Sequence, residues 1–311
     1  MSVLVVGSVA FDSVKTPFGE RQRTLGGSAT YFSSAASFFA PVELVAVVGE
    51  DFGEEHLEYL RSRGIGTDGL ARAPGRTFHW TGSYGFDLNT AHTLSTELNV
   101  FESFSPTLSE AQRRARELFL GNIDPDLQWR VLEQVDHPRV VAADTMDFWI
   151  DGKRASLLKV LGRVDLLLVN DAEARMLAGE HNIVKAAEAI FAMGPKRLVI
   201  KRGEYGALLF DGGRVFVAPA FPLPRLFDPT GAGDSFAGGL MGFLSRAPTF
   251  EPRVFRQATI VGSVMASFAV EDFSVDRFRT LSMGEVVRRY EEFQELVHFD
   301  DLPQELAGLE S

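Results

Sequence analysis

Eight short apolar runs rich in β-branched residues punctuate the chain, and the stretches between them carry a helical period. That alternation limits the fold more than any other feature, because it is the pattern of βαβ units built around a buried sheet. The runs are Val3–Val6, Leu44–Val48, Leu118–Gly121, Val140–Ala143, Leu166–Val169, Leu198–Lys201, Ala207–Phe210 and Val215–Ala218. Each is apolar on successive residues rather than on alternate ones, so both faces of the sheet must be covered. Helices are expected over Ser28–Phe39, Glu54–Arg63, Leu127–Gln134, Arg154–Leu161, Glu173–Leu177, Ile183–Phe191, Asp234–Leu244 and Arg253–Ala269. The predicted fold is α/β: a doubly wound, mostly parallel sheet with helices on both faces.

Thr77–Tyr84 and Thr96–Phe101 break this rhythm, since they read as strands in a stretch with few helix signals. Phe78, Trp80, Tyr84 and Phe86 would leave an exposed aromatic patch there unless something packed on them. With Thr16–Thr24, which leaves the first strand and returns at Gly26-Gly27, these segments read as a small β lid; an ordinary edge hairpin fits the same residues. The lid segments fall at about 12–25 and 76–104 within one domain spanning 1–311. Met283–Val297 reads as an amphipathic helix that opens a terminal segment, 282–311, with an acidic end. Gly64-Ile-Gly66-Thr-Asp-Gly69 has the look of a dinucleotide fingerprint but follows a helix rather than a strand, which excludes that reading.

Composition narrows the function. In 311 residues, 45% hydrophobic and 23% charged side chains suffice to bury a sizeable core. The absence of Cys removes disulfides, thiolate metal sites and a thiol nucleophile. A formal charge of -11 disfavours a grip on nucleic acid or anionic membrane, so small molecules are the expected partners. No apolar run is long enough to span a bilayer. The amino-terminal Ser2–Gly7 reads as a strand rather than a signal peptide, and the expected location is cytoplasmic. Six histidines are scattered without metal-ligand spacing.

The chemistry concentrates in Asp228-Pro-Thr230-Gly231-Ala232-Gly233-Asp234-Ser-Phe236-Ala-Gly-Gly239. A glycine-rich turn feeding a helix start leaves several amides unpaired and pointing one way, which favours an anion. Asp234, in the first turn, has two readings. It can cap those amides and interact with the helix dipole. Alternatively it takes a proton from an attacking hydroxyl while the amides of Gly231, Ala232 and Gly233 hold a transferring phosphoryl group.

Other motifs are read with the same two-sidedness. Asn170-Asp-Ala-Glu173 follows an apolar strand, where open α/β sheets bind ligands, and offers oxygens suited to hydrated magnesium; a capping box fits it equally well. Lys201-Arg-Gly203-Glu-Tyr-Gly206 is a turn between strands. Gly262 and Ser263 open a run of small residues on a helix, explained by close helix packing or by the floor of an adenine pocket. Asp12, just past the first strand, fits an ordinary turn. Asp144-Thr-Met-Asp147 reads as a loop.

The stretch from Asp228 resembles the second signature of the ribokinase-like, or PfkB, carbohydrate kinases, departing only at Pro229. The resemblance implies Asp234 as catalytic base and Gly231, Ala232 and Gly233 as anion hole. It also implies that Asp228 and Thr230 match positions that bind an activating monovalent cation, K+, in many members. By the same resemblance Asn170 and Glu173 organise Mg2+ and the phosphates of ATP, through water, and Lys201, Gly203 and Gly206 approach the nucleotide with Gly262 and Ser263. Asp12, Gly26, Gly27, Ser28 and Asn122 would face the acceptor. The match is partial there: ribokinases proper carry Lys and Asn after the double glycine, where this chain reads Ser28-Ala-Thr-Tyr31-Phe32, and Asn122 replaces an acid. The implied activity is ATP-dependent phosphoryl transfer to a sugar or related polyol. A nucleoside acceptor, or a sensor of the same fold that binds without turnover, stays open. Lids in the family often pair between subunits, which implies a homodimer.

Overall fold

In the computed structural model, which describes residues 2–300, the apolar runs assemble into one large sheet and the irregular segments into a second, small one. The large sheet contains β1 (Val3–Val6), β4 (Val42–Val48), β5 (Ile65–Arg72), β8 (Glu117–Leu120), β9 (Val140–Asp144), β10 (Leu166–Asn170), β11 (Arg197–Lys201), β12 (Ala207–Asp211) and β13 (Arg214–Ala218). The small sheet contains β2 (Ala10–Thr16), β3 (Gly19–Gly26), β6 (Phe78–Tyr84) and β7 (Ala91–Glu97), in the order β3-β2-β6-β7.

The large sheet runs β13-β12-β11-β10-β9-β8-β1-β4-β5, with every neighbour parallel from β11 to β5 and the β11-β12 and β12-β13 pairs antiparallel. Its inner strands are buried on both sides, as continuous apolar runs require, while the edge strands β5 and β13 are partly exposed. Val3 and Val5 join one core layer while Leu4 and Val6 join the other, and Leu166 and Leu168 divide from Leu167 and Val169 in the same way. Each such side chain contributes about 1.5–3 kcal/mol through burial.

Three differences from the sequence reading have plain causes. β5 occupies the Gly64–Gly69 stretch, where an irregular register against β4 and an edge position dispense with an apolar run. In the lid, β7 lies at Ala91–Glu97, earlier than the expected Thr96–Phe101; it is exposed along its whole length and so carries no alternation. Asn99–Ser103 is instead a 3-10 helix, and Phe101 stacks between Phe78 and Phe104. The short helices Glu110–Arg113 and Asp147–Gly152 are too brief to show a period in the sequence. The Met283–Val297 helix forms behind a Ser282 capping box, and the acidic end at 301–311 lies outside the described residues.

The helix Ala232–Arg246 is packed so closely that its backbone nearly touches its neighbours. A Cβ at Gly242 would lie 2.9 Å from the Ala36 carbonyl oxygen, and one at Gly239 3.0 Å from that of Val261. Its far end is held by Arg139, whose guanidinium donates to the carbonyls of Leu244 (3.2 Å) and Ala247 (2.8 Å) and pairs with the fully buried Glu117 at 2.7 Å. Arg139→Ala strands that carboxylate, so we expect a loss of about 3 kcal/mol in urea unfolding; a change below about 0.5 kcal/mol would contradict this anchoring role.

Candidate active site

Chain order reverses between β1 and β8, and in open α/β sheets ligands bind at the carboxyl ends of the strands flanking such a point. Asp12 lies within β2, just beyond β1, and not in the turn that its place in the sequence suggests; it and Asn122, which follows β8, both stand at this crevice. Asp12 is 4% exposed, and its carboxylate lies so close to Gly26 that a Cβ there would collide with it. Burial lifts the Asp12 carboxyl to about 7; the Tyr31 hydroxyl and the Gly27 amide oppose the rise and the Asp228 charge adds to it. Asn122 receives the Trp149 indole N–H at 3.0 Å and donates to Met146 Sδ at 3.2 Å. Ser28 is committed to structure: its amide donates to Ser8 Oγ at 3.0 Å and its hydroxyl accepts from the Ser8 amide at 3.2 Å.

The second half of the site is the turn into the Ala232–Arg246 helix. Gly231 is its N-cap at φ 73°, in the left-handed region that glycine adopts without penalty, and a Cβ there would run into the Tyr31 ring. The Ala232 amide already donates to the Pro229 carbonyl at 3.1 Å, so Gly231 and Gly233 supply the amides without such a partner among the described residues. Asp234 stands in the first turn, half-buried. Burial pushes its carboxyl up to about 7, with Asp144 adding to the rise and Lys201 opposing it.

Lys201 connects this turn to the neighbouring strand ends. A Cβ at Gly233 would sit 3.0 Å from Lys201 Nζ, so the ammonium hangs over the helix start. It is paired with Asp144 at 2.8 Å, with side-chain exposures of 18% and 7%. Burial alone would lower its pKa, but Asp144 and Glu173 hold it above the usual value and the group stays charged. Asp144 is therefore no idle loop residue. Its signal is its place at the end of a buried strand, but only the pairing of β9 with β10 and β10 with β11 brings it to Lys201.

Asn170 and Glu173 do form the capping box: the Asn170 side chain accepts from the Glu173 amide at 2.8 Å, and Glu173 Oε2 accepts from the Asn170 amide at 2.7 Å. Burial and the Asp144 charge raise the Glu173 carboxyl, against the pull of Lys201. Among the described residues no group of three or more His, Asp or Glu is arranged to hold a metal. Asp228 is 1% exposed and accepts from the Thr230 amide at 2.9 Å.

The lid reaches both parts. Thr230 Oγ1 donates to the Tyr84 hydroxyl on β6 at 3.2 Å, and Asn89, between β6 and β7, donates to Glu204 at 3.1 Å beside Gly203. Gly206 lies where that turn enters β12, against the Ala218 carbonyl, and Gly262 packs on Phe236, with a Cβ there only 2.9 Å from the Phe236 oxygen. Ser263 is buried beside it. A groove of ≈ 580 Å³ at the β4-β5 edge, lined by Val45, Gly69, Phe104 and Gln112 among others, contains none of these residues.

The arrangement is thus a half-buried carboxylate over a glycine turn, an ammonium beside it and a second carboxylate across the crevice. The model of the pfkB family of carbohydrate kinases matches residues 2–278, and the chain belongs to that family. It is 33% identical over 264 residues to a cytidine kinase of Thermococcus kodakarensis, covering 81% of this chain and 91% of the relative. In structure it is similar to a nucleoside kinase of Methanocaldococcus jannaschii, with TM-score 0.75, 18% identity and coverage of 94% and 98%. It is also similar to an E. coli protein described as a ribokinase II in complex with ATP and Mg2+, with TM-score 0.74, 17% identity and coverage of 95% and 99%. Among the described residues no helix is long and apolar enough to cross a membrane.

Proposed function

We propose that this chain transfers the γ-phosphoryl group of ATP to a hydroxyl of a nucleoside. The observation that carries the choice of acceptor is Trp80. It pairs with Asp12 across β2 and β6, and paired residues share a face of a sheet. Its ring spreads over Gly82, and its indole N–H is fixed by Thr93 Oγ1 at 3.2 Å. A flat aromatic beside the acceptor carboxylate offers a stacking surface to a base, worth about 1–3 kcal/mol. The similarity to a cytidine kinase supports the same choice and moves weight away from the sugar or polyol that the signature alone favours.

In this reading Asp12 accepts hydrogen bonds from acceptor hydroxyls and turns one toward Asp234. Asp234 takes that hydroxyl's proton; the oxygen forms a bond to the γ-phosphorus as the bond to the bridging oxygen breaks and ADP departs. The amides of Gly231 and Gly233 and the Lys201 ammonium stabilise the charge on the transferring group. Asn170 and Glu173 would hold Mg2+ through water, and the metal would neutralise phosphate charge. The lid, latched through Tyr84 and Asn89, excludes water that would compete as acceptor.

The test is ADP release by the purified chain with ATP and Mg2+ across cytidine, uridine, adenosine, inosine, ribose, fructose and myo-inositol. Release is expected with at least one nucleoside and not with the sugars. Turnover of a sugar alone would overturn the nucleoside reading, and thermal stabilisation by a compound that is never turned over would favour a sensor.

A further inference from the structure

Tyr31 sits on the Ser28–Ala36 helix, 1% exposed, at a position that carries no motif in the sequence. A buried phenol needs a partner for its hydroxyl, and here that partner is the carboxylate of Asp12: the O–H donates to Oδ2 at 3.1 Å. The other end of the contact is equally specific. The ring lies flat against Gly231, so close that any side chain at 231 would displace it. One side chain thus touches the carboxylate on β2 and the glycine turn that begins the Ala232–Arg246 helix, two elements far apart in sequence.

We infer that Tyr31 is a positioning residue that fixes the acceptor carboxylate of Asp12 relative to the anion-binding turn at Gly231. With one carboxylate oxygen tied to the phenol and the Gly27 amide also donating to the group, the carboxylate has a single orientation and a set distance from the place where phosphoryl transfer occurs. An unheld carboxylate could rotate, and small misplacements of reacting groups cost large factors in rate. The groups whose charge or proton bears on Asp12 are Tyr31 itself, Asp228 in the turn before the helix, Tyr84 on β6 and Asp234 in the helix. Of these only Tyr31 donates a hydrogen bond to the carboxylate, so its hydroxyl favours the ionised form that an acceptor hydroxyl needs.

The inference rests on the nucleoside-kinase reading only for its kinetic probe, cytidine with ATP and Mg2+. Tyr31→Phe keeps the ring against Gly231 and removes the donor. The KM for cytidine should rise about tenfold at pH 7 with kcat changed less than about twofold. The penalty should shrink to about twofold at pH 9, where Asp12 is ionised without help. A second readout needs no turnover: the midpoint of the Asp12 carboxyl titration, followed by carbon-13 NMR on the intact chain, should move upward in Tyr31→Phe. An unmoved midpoint together with an unchanged KM would overturn the inference, as would a kcat loss equal at every pH with no effect on KM. If the unaltered chain turns over no nucleoside, the acceptor reading falls and the titration alone decides the role of Tyr31.

Discussion

Asp234→Asn is expected to lower kcat about a thousandfold while the KM for ATP moves by less than about threefold, because the substitution keeps the shape of the side chain and removes its ability to take a proton. For the unaltered chain the rate should rise with pH through about 7, the value to which burial lifts the Asp234 carboxyl. Asp12 is lifted to the same region, so the acid limb belongs to the pair and not to either residue alone. The same shifts act on stability with the opposite sign. Unfolded carboxyls titrate near 3.9, so between about pH 4 and pH 7 the folded chain binds more protons than the unfolded one, and its stability falls as pH rises. The neutral amide of the Asp234→Asn variant resembles the protonated acid, so the variant should melt a few degrees higher than the unaltered chain at pH 8 and at nearly the same temperature at about pH 4 and below, where both folded and unfolded carboxyls are largely protonated. Activity and stability therefore pull against each other at this residue. A variant with full kcat would show that Asp234 is only the helix cap that its position also allows.

Lys201→Met is expected to have the second-largest effect. It takes the ammonium away from Gly233 and leaves Asp144, Glu173 and Asp234 facing one another without a cation. Loss of a charged donor at a transferring phosphoryl group should lower kcat/KM for ATP about a hundred- to a thousandfold. The stability cost follows from breaking a buried pair and should reach about 3 kcal/mol at pH 8. Its pH dependence distinguishes it from a packing defect. Lys201, with a raised pKa, is charged throughout the range from pH 6 to 8, so the variable is the Glu173 and Asp234 carboxyls. They repel when ionised and not when protonated; the penalty is therefore largest at pH 8 and shrinks as pH falls toward 6. Urea unfolding at the two pH values measures this, and an equal loss at both would mean that the cost comes from the missing side-chain volume.

These effects meet at the strand ends of the large sheet. Asp144, Asn170 and Lys201 end three neighbouring strands, and β10 pairs Asn170 directly with Lys201. The Ala232–Arg246 helix brings Asp234 to that edge, and its tight packing against flanking helices, with Arg139 holding its other end, limits how far that carboxylate can wander.

Much of this is already legible in the residues. Continuous apolar runs such as Val3–Val6 and Leu166–Val169 can be satisfied only by a sheet covered on both faces, because each successive side chain needs an apolar environment. Gly231, Gly233 and Asp234 fall within four consecutive residues, so their joint placement at a helix start is a local matter that spacing determines. The capping box of Asn170 and Glu173 is local for the same reason. What only the tertiary structure decided are the contacts between residues distant along the chain: Lys201 with Asp144, Tyr31 with Asp12 and Gly231, Tyr84 with Thr230. The pattern of hydrophobicity specifies that strands and helices exist, but not which strand ends lie side by side. Those meetings depend on strand order and on the crossing of helices over the sheet, and with them come the desolvation and the neighbouring charges that lift the Asp12 and Asp234 carboxyls to about 7.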